Sequence, residues 1–227
     1  MVESEDAVPT SAAGAVTERA RAYFDEFAAD YDEAATEARW MPNDLLGHVL
    51  DSVGPGAAAA DLACGTGSTL AVLRRTFPGA DLVGVDLSAP MIDRARARVP
   101  DVDYTVADIG VYATGARQQF DLVTVVGGFE FTDRLPELLD EVRNLVRPGG
   151  NLVFTYEPVM AGWPPQSTRV ETNLGSNGLE LTTFRWDPEE VTAGFGGWDL
   201  LGSRLFAAYL RDGLPTVYGW LHYRRGD

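Results

Sequence analysis

DLACGTGST, residues 61–69, stands between a short apolar run and a stretch with helical spacing. Residues 57–63 read as a buried strand, Gly65-Thr66-Gly67 as a tight turn and 68–77 as a helix, so the three together predict a β-turn-α cradle for a ligand. The two glycines let a backbone come close to whatever is bound. A dinucleotide fingerprint would carry a third glycine at position 70, where Leu70 stands, and would set a pyrophosphate against the helix N-terminus. Asp61, at the strand end, would repel a diphosphate and attract an ammonium group. The cradle therefore suits a cationic ligand.

Asp86 closes the next apolar run, LVGVD at 82–86. An acidic side chain at the end of a second parallel strand can accept from both hydroxyls of a ribose. A nucleoside that carries an amino acid satisfies both aspartates. These residues resemble the class I methyltransferases that use S-adenosylmethionine: DLACGTG (61–67) is similar to their glycine-rich first motif, and LVGVDLSAPMIDRAR (82–96) to their second. The resemblance extends from about Tyr23 to Pro158. It implies an α/β, Rossmann-like fold: a seven-stranded, mostly parallel sheet with an antiparallel last strand and helices on both faces.

Composition agrees with a single globular domain, since 227 residues with 45% hydrophobic content can bury one substantial core. Lys and Arg total 18 against 34 Asp and Glu, a formal charge of −16, which repels a phosphate backbone and argues against nucleic acid as a partner. The arginines at 94–98 read as one solvated helix face. Cys64 is the only cysteine, so no intrachain disulfide can form, and a small residue packed in the glycine turn is the expected role. The first residues are acidic and lack the basic start and apolar core of a signal peptide. Residues 1–16 are expected to form a disordered acidic tail ahead of one domain at 17–227. With no apolar run near the roughly 20 residues needed to span a bilayer, a soluble, cytoplasmic monomer or homodimer without membrane contact is the expectation.

Ala20, Phe24, Phe27, Ala28 and Tyr31 recur at helical spacing, and Pro42 opens a second helix through Leu50. These form an N-terminal helical cap, 17–54. Strands at 81–86, 102–107, 120–126 and 151–156 then alternate with helices at 89–99 and 135–146, which demands a parallel sheet covered on both faces. VETN and LELTTF flank GSNG as an inserted hairpin, so 158–186 is expected to form a lid. Asp187-Pro188 opens a short helix, and two last strands joined at Asp212-Gly213 form a closing hairpin.

Ligands in open α/β sheets lie beyond the carboxyl ends of the strands. By resemblance, Asp61, Ala63, Gly65, Gly67 and Gly127 would hold the methionine end of S-adenosylmethionine. Asp86 would hold the ribose and Asp108, with the Ile109 N–H, the adenine, flanked by Leu87 and Met91. A helix cap is the competing role for Asp108. Tyr23 and Tyr31 lie on a helix that closes over the cofactor in related small-molecule enzymes, and a core stripe is their competing role. Trp40 and Met41, where that helix turns toward the site, are candidate substrate contacts.

Methyl transfer from a sulfonium is an in-line displacement, so alignment in a dry pocket matters more than acid–base chemistry. A hydroxyl acceptor needs a base. Glu130, in GGFEFTD, and Glu157, closing FTYEP, are the candidate catalytic bases. Phe129, Phe131, Tyr156 and Trp163 suggest an aromatic-walled pocket for a small, fairly apolar acceptor, with ordinary core packing as the alternative. The expected reaction is methyl transfer to a small molecule, oxygen preferred over nitrogen or carbon, of the kind found in secondary metabolism, with S-adenosylhomocysteine as product and no metal. A non-methylating reaction on the same fold, such as a cyclisation, and an NAD-dependent oxidoreductase are the readings kept beside it.

Overall fold

The structure, a computed structural model, describes residues 12–38, 40, 46–160, 169–172, 181–211 and 214–227. Strand β1 (Ala58–Leu62) lies in the middle of the sheet, and its side chains are buried on both faces because helices cover both. It pairs in parallel with β2 (Asp81–Asp86) and β4 (Phe120–Val125). β3 (Asp103–Val106) flanks β2, and β5 (Val146–Pro158) flanks β4.

Past β5 the sheet, nine-stranded among the described residues, forks. β9 (Leu214–Arg225) pairs antiparallel with β5, and β8 (Trp198–Arg211) antiparallel with β9. β7 (Leu181–Trp186) joins only the end of β5, at Glu157 and Pro158, and carries β6 (Arg169–Thr172) beside it. Without that hairpin seven strands remain, as the sequence leads one to expect.

Alternation along β1 explains the two-layered core. Ala59 joins Leu70, Leu73 and Ile92 on one face, under α3 (Gly47–Leu50), α4 (Ser68–Thr76) and α5 (Ala89–Arg98). Ala60 and Leu62 join Leu138, Leu139 and Phe154 on the other, under α6 (Ile109–Gly115), α7 (Leu135–Arg143) and α8 (Pro188–Thr192). Each fully buried leucine contributes about 1.5–3 kcal/mol to the fold. No described helix is long and apolar enough to cross a membrane.

The N-terminal cap differs from expectation in three places. Helix α1 (Ala12–Phe27) starts inside the stretch read as a tail, with Gly14 tolerated in its first turn. The stripe through Tyr31 is also not one helix: the backbone turns before Tyr31, the Asp30 N–H donating to the Phe27 carbonyl at 3.1 Å, and α2 (Tyr31–Glu37) follows as a separate helix. The helix expected from Pro42 is described only as α3, its start lying outside the described residues.

The hairpin expected to be a lid is described only in part. Leu181 of β7 is buried against Ala20 and Tyr23, so this strand braces α1 from behind. Its tip, 173–180, and the Asp212-Gly213 turn lie outside the described residues.

Candidate functional site

The cradle is built from backbone held in unusual conformations. Ala63 has φ 56°, Gly65 φ 53° and Gly67 φ 82°, the left-handed region that L side chains avoid. The two glycines serve different ends. A Cβ on Gly67 would come within 3.1 Å of the Ala95 Cβ, so this glycine lets α4 and α5 pack together. A Cβ on Gly65 would meet nothing within 4 Å and would stand in the cleft, so this glycine leaves room for a ligand.

Three aspartates sit at successive strand ends. Asp61 is buried, and its Oδ1 accepts from the Thr124 hydroxyl at 2.6 Å while its Oδ2 has no partner among the described residues. Burial pushes its carboxyl up to about 7 against the Thr124 hydrogen bond, and Asp86 nearby adds to the rise. Asp86 accepts from the Gly65 N–H at 2.8 Å and the Ser88 N–H at 2.9 Å, which ties the glycine turn to β2. Burial raises its carboxyl above the ordinary range, although those N–H groups oppose the rise.

Asp108 does cap α6: its Oδ1 accepts from the N–H groups of Gly110 and Val111 at 2.8 and 3.1 Å. It also lines the cleft, so the two roles weighed for it are compatible.

Asp32, which sequence reasoning missed, fastens the cap to this cradle. Its Oδ1 accepts from the Thr66 hydroxyl at 2.6 Å, and its Oδ2 from Arg98 at 2.7 Å and Arg94 at 3.3 Å. Arg98 also donates to the Thr66 carbonyl at 2.8 Å. Burial works against ionisation of Asp32, yet the hydrogen bonds from Thr66 and Arg98 hold its carboxyl below the usual range. The arginine face of α5, expected to be merely solvated, is thus a clasp on α2.

Two adjoining cavities result. The first, about 1140 Å³ of atom-free space including its mouth, is lined by Ala63, Gly65, Asp86, Leu87, Asp108 and Ile109, with Met91 and Gly127 also in its wall. Asp61 and Gly67, also expected to hold the ligand, are not among the residues that line it. The second, about 630 Å³, lies under α1 and α2 and against β8 and β9, where Tyr23, Phe27, Tyr209 and Tyr218 meet Glu130. Phe24, Tyr31, Trp40, Gly127 and Phe131 line both, so they mark the boundary between the cavities. Trp40 lies so close over Gly127 that a Cβ there would be 2.9 Å from its ring. Burial between Glu130 and Asp86 raises the Tyr31 hydroxyl far above its ordinary range.

Glu130 is placed at the second cavity and accepts from the Tyr218 hydroxyl at 2.7 Å. Glu157 is not. It is fully buried and ion-paired with Arg185 at 3.3 Å, because β7 joins the sheet at its position and carries Arg185 beside it. Phe129 and Tyr156, expected as substrate contacts, are core residues packed around Phe154. The turn Phe129–Phe131 points Phe129 into the core and leaves Phe131 at the cavity. Met41 and Trp163 lie outside the described residues. His222 is buried against Asn151, at 2.9 Å, and its burial lowers it to about 4. Tyr209 and Tyr218 were missed because the closing hairpin, far in sequence from the cap and the glycine turn, brings them to the cavity, and no local motif marks them.

The sheet order and the convergence of these strand ends define a nucleoside-binding α/β enzyme fold. Residues 59–150 match the family model described as a methyltransferase domain. With the two sequence motifs and this fold, the match supports a class I S-adenosylmethionine-dependent methyltransferase domain. It is 35% identical over 125 residues to a trans-aconitate 2-methyltransferase of Azoarcus sp. (strain BH72), covering 55% of this chain and 47% of that one. It is 31% identical over 140 residues to a demethylmenaquinone methyltransferase of Renibacterium salmoninarum, covering 57% of each. The chain spans about half the length of the curated relatives it matches. Among solved structures, the DhpI-SAH complex aligns with a TM-score of 0.66 at 21% identity, over 96% of this chain and 99% of that one, a likeness of fold.

Proposed function

We propose that this chain transfers a methyl group from S-adenosylmethionine to a small organic acceptor, with oxygen as the preferred receiving atom. The observation that carries the reading is the pairing of Asp61 with an open cradle. A buried carboxylate oxygen without a partner, set behind a glycine whose missing side chain leaves room, fits a ligand with a cationic amino-acid end.

Asp61, Ala63, Gly65 and Gly127 would hold that end, Asp86 the ribose, and Asp108 with Leu87 and Met91 the adenine. Bound there, S-adenosylmethionine would supply an electrophilic methyl group, and the products would be the methylated acceptor, S-adenosylhomocysteine and one proton. The protein's own part is to exclude water and to receive that proton. Tyr31, Trp40 and Phe131, at the boundary of the two cavities, shield the reacting centre. Glu130 stands on the acceptor side as the proton acceptor, oriented by Tyr218.

Trans-aconitate is named for several relatives, and is a candidate acceptor to be tried. The test is incubation with methyl-labelled S-adenosylmethionine and an acceptor panel, followed by mass analysis. Label appearing on an acceptor supports the reading. Turnover of an acceptor with the label retained on the cofactor would favour cyclisation, and selective thermal stabilisation by NAD over S-adenosylhomocysteine would favour an oxidoreductase.

A further inference from the structure

We infer that Arg134 covers the face of the adenine base opposite Met91, with its guanidinium plane stacked on the ring. The inference rests on the methyl-transfer reading and adds a cofactor contact that no sequence motif marks. Met91 lies on α5 and Arg134 at the start of α7, helices that cover opposite faces of the sheet, yet both residues line the first cavity together with Asp108. A flat base held at Asp108 is thereby bounded on both of its faces.

The guanidinium is fixed as a plane. Its Nη1 donates to Glu141 Oε1 at 3.0 Å and its Nη2 to Glu141 Oε2 at 3.2 Å, a bidentate pair that sets its orientation. The pair rests on the first turn of α6, where a Cβ on Gly110 would collide with the guanidinium and come within 2.6 Å of the Glu141 carboxylate. Hydrogen bonding to Glu141 raises the guanidinium further above its ordinary range against its partial burial, and Asp108 adds to the rise, so the cation stands near the carboxylate expected to hold the adenine. Helix capping does not explain this arginine. It occupies the N-cap of α7 and makes no side-chain cap there, in a position that favours side chains able to accept from backbone N–H groups, whereas a guanidinium only donates. A clamp between α6 and α7 needs no open face, yet the Arg134 side chain stays 37% exposed at the cleft wall. A rigid planar cation in that place attracts the π face of a base.

The experiment is calorimetric titration of the full wild-type chain, Arg134→Ala and Arg134→Lys with S-adenosylhomocysteine, followed by competition with adenosine. Arg134→Ala should bind S-adenosylhomocysteine about three- to tenfold more weakly, and adenosine more weakly by the same factor, because both ligands carry the base. Asp61→Asn should weaken the first and leave the second unchanged. Arg134→Lys keeps a cation for Glu141 without the plane and should lose at least about threefold; this variant decides alone if Arg134→Ala does not fold. A lowered Tm with wild-type affinity would make Arg134 a clamp only and overturn the inference, as would a loss for S-adenosylhomocysteine that adenosine does not share. No binding of S-adenosylhomocysteine by the wild-type chain would instead strike the methyl-transfer reading itself.

Discussion

Asp32 and Arg98, 66 residues apart in the sequence, meet at 2.7 Å and clasp the Thr66 hydroxyl between them. The cap helix α2 is thereby bonded to the glycine turn that forms the floor of the cleft. Loss of the clasp would free the cap helix from the turn that lines the cleft.

Asp32→Ala should therefore weaken S-adenosylhomocysteine binding. The pair is about one-third exposed on each side, so its contribution is on the order of 1 kcal/mol, or roughly fivefold in affinity. Limited proteolysis should show faster cleavage within residues 28–46 of the variant. Unchanged affinity together with unchanged proteolysis would mean that the clasp does not close the site.

Asp61 gives the binding a pH dependence of known sign. Its carboxyl is raised to about 7 in the folded chain, above its unfolded value near 3.9, so the unliganded fold favours the proton. As pH rises through that interval, the fold loses stability to the ionised buried carboxylate, and above about 7 no more is lost. A cationic ligand favours the ionised form, so its binding releases a proton and tightens as pH rises from 5.5 to 7.5. Calorimetry in buffers of different ionisation enthalpy reads the released proton. In Asp61→Asn, whose amide oxygen can still accept from Thr124, this dependence should be lost and affinity reduced.

The two cradle glycines should separate stability from binding. Gly67→Ala meets Ala95 and a left-handed backbone, and should lower stability by about 1–3 kcal/mol, read as a drop in Tm. Gly65→Ala meets open space in the fold. Its Tm should fall less, while its affinity for S-adenosylhomocysteine should fall by about tenfold or more. Equal losses in both quantities for both variants would contradict the division of roles.

Glu130→Gln should slow turnover by about 10²–10⁴-fold with little change in S-adenosylhomocysteine affinity. Tyr218→Phe should have a smaller effect on kcat, since on the proposed reading Tyr218 orients Glu130 and does not itself receive the proton. Glu157→Gln should act on stability, since Glu157 pairs with Arg185 inside the protein.

Much of this architecture is legible in the chain because its signals are local. The glycine turn at 65–67, the acidic strand ends and the alternation of apolar runs each reflect backbone geometry that a few neighbouring residues fix. The acceptor side is different. Phe129 and Phe131 are two residues apart, yet a single turn sends one to the core and the other to the cavity. Glu157 reads like Glu130 until β7 brings Arg185 against it. Tyr23 joins Tyr209 and Tyr218 only through the pairing of β8 with β9 and the docking of α1. Asp32 lay in an acidic helix that gave no hint of Thr66, and the arginines of α5 looked like a solvated face until α2 settled on them.

The most direct test of the central claim, that this cleft holds an adenosyl amino acid between Asp61 and Asp86, is calorimetric titration of the wild-type chain and Asp86→Ala with S-adenosylhomocysteine. The account expects one site per chain in the wild type and a loss of affinity of about 10- to 100-fold or more in the variant, as the removal of hydrogen bonds to a charged group requires. Wild-type affinity in a folded Asp86→Ala variant, or no binding by the wild-type chain, would contradict it.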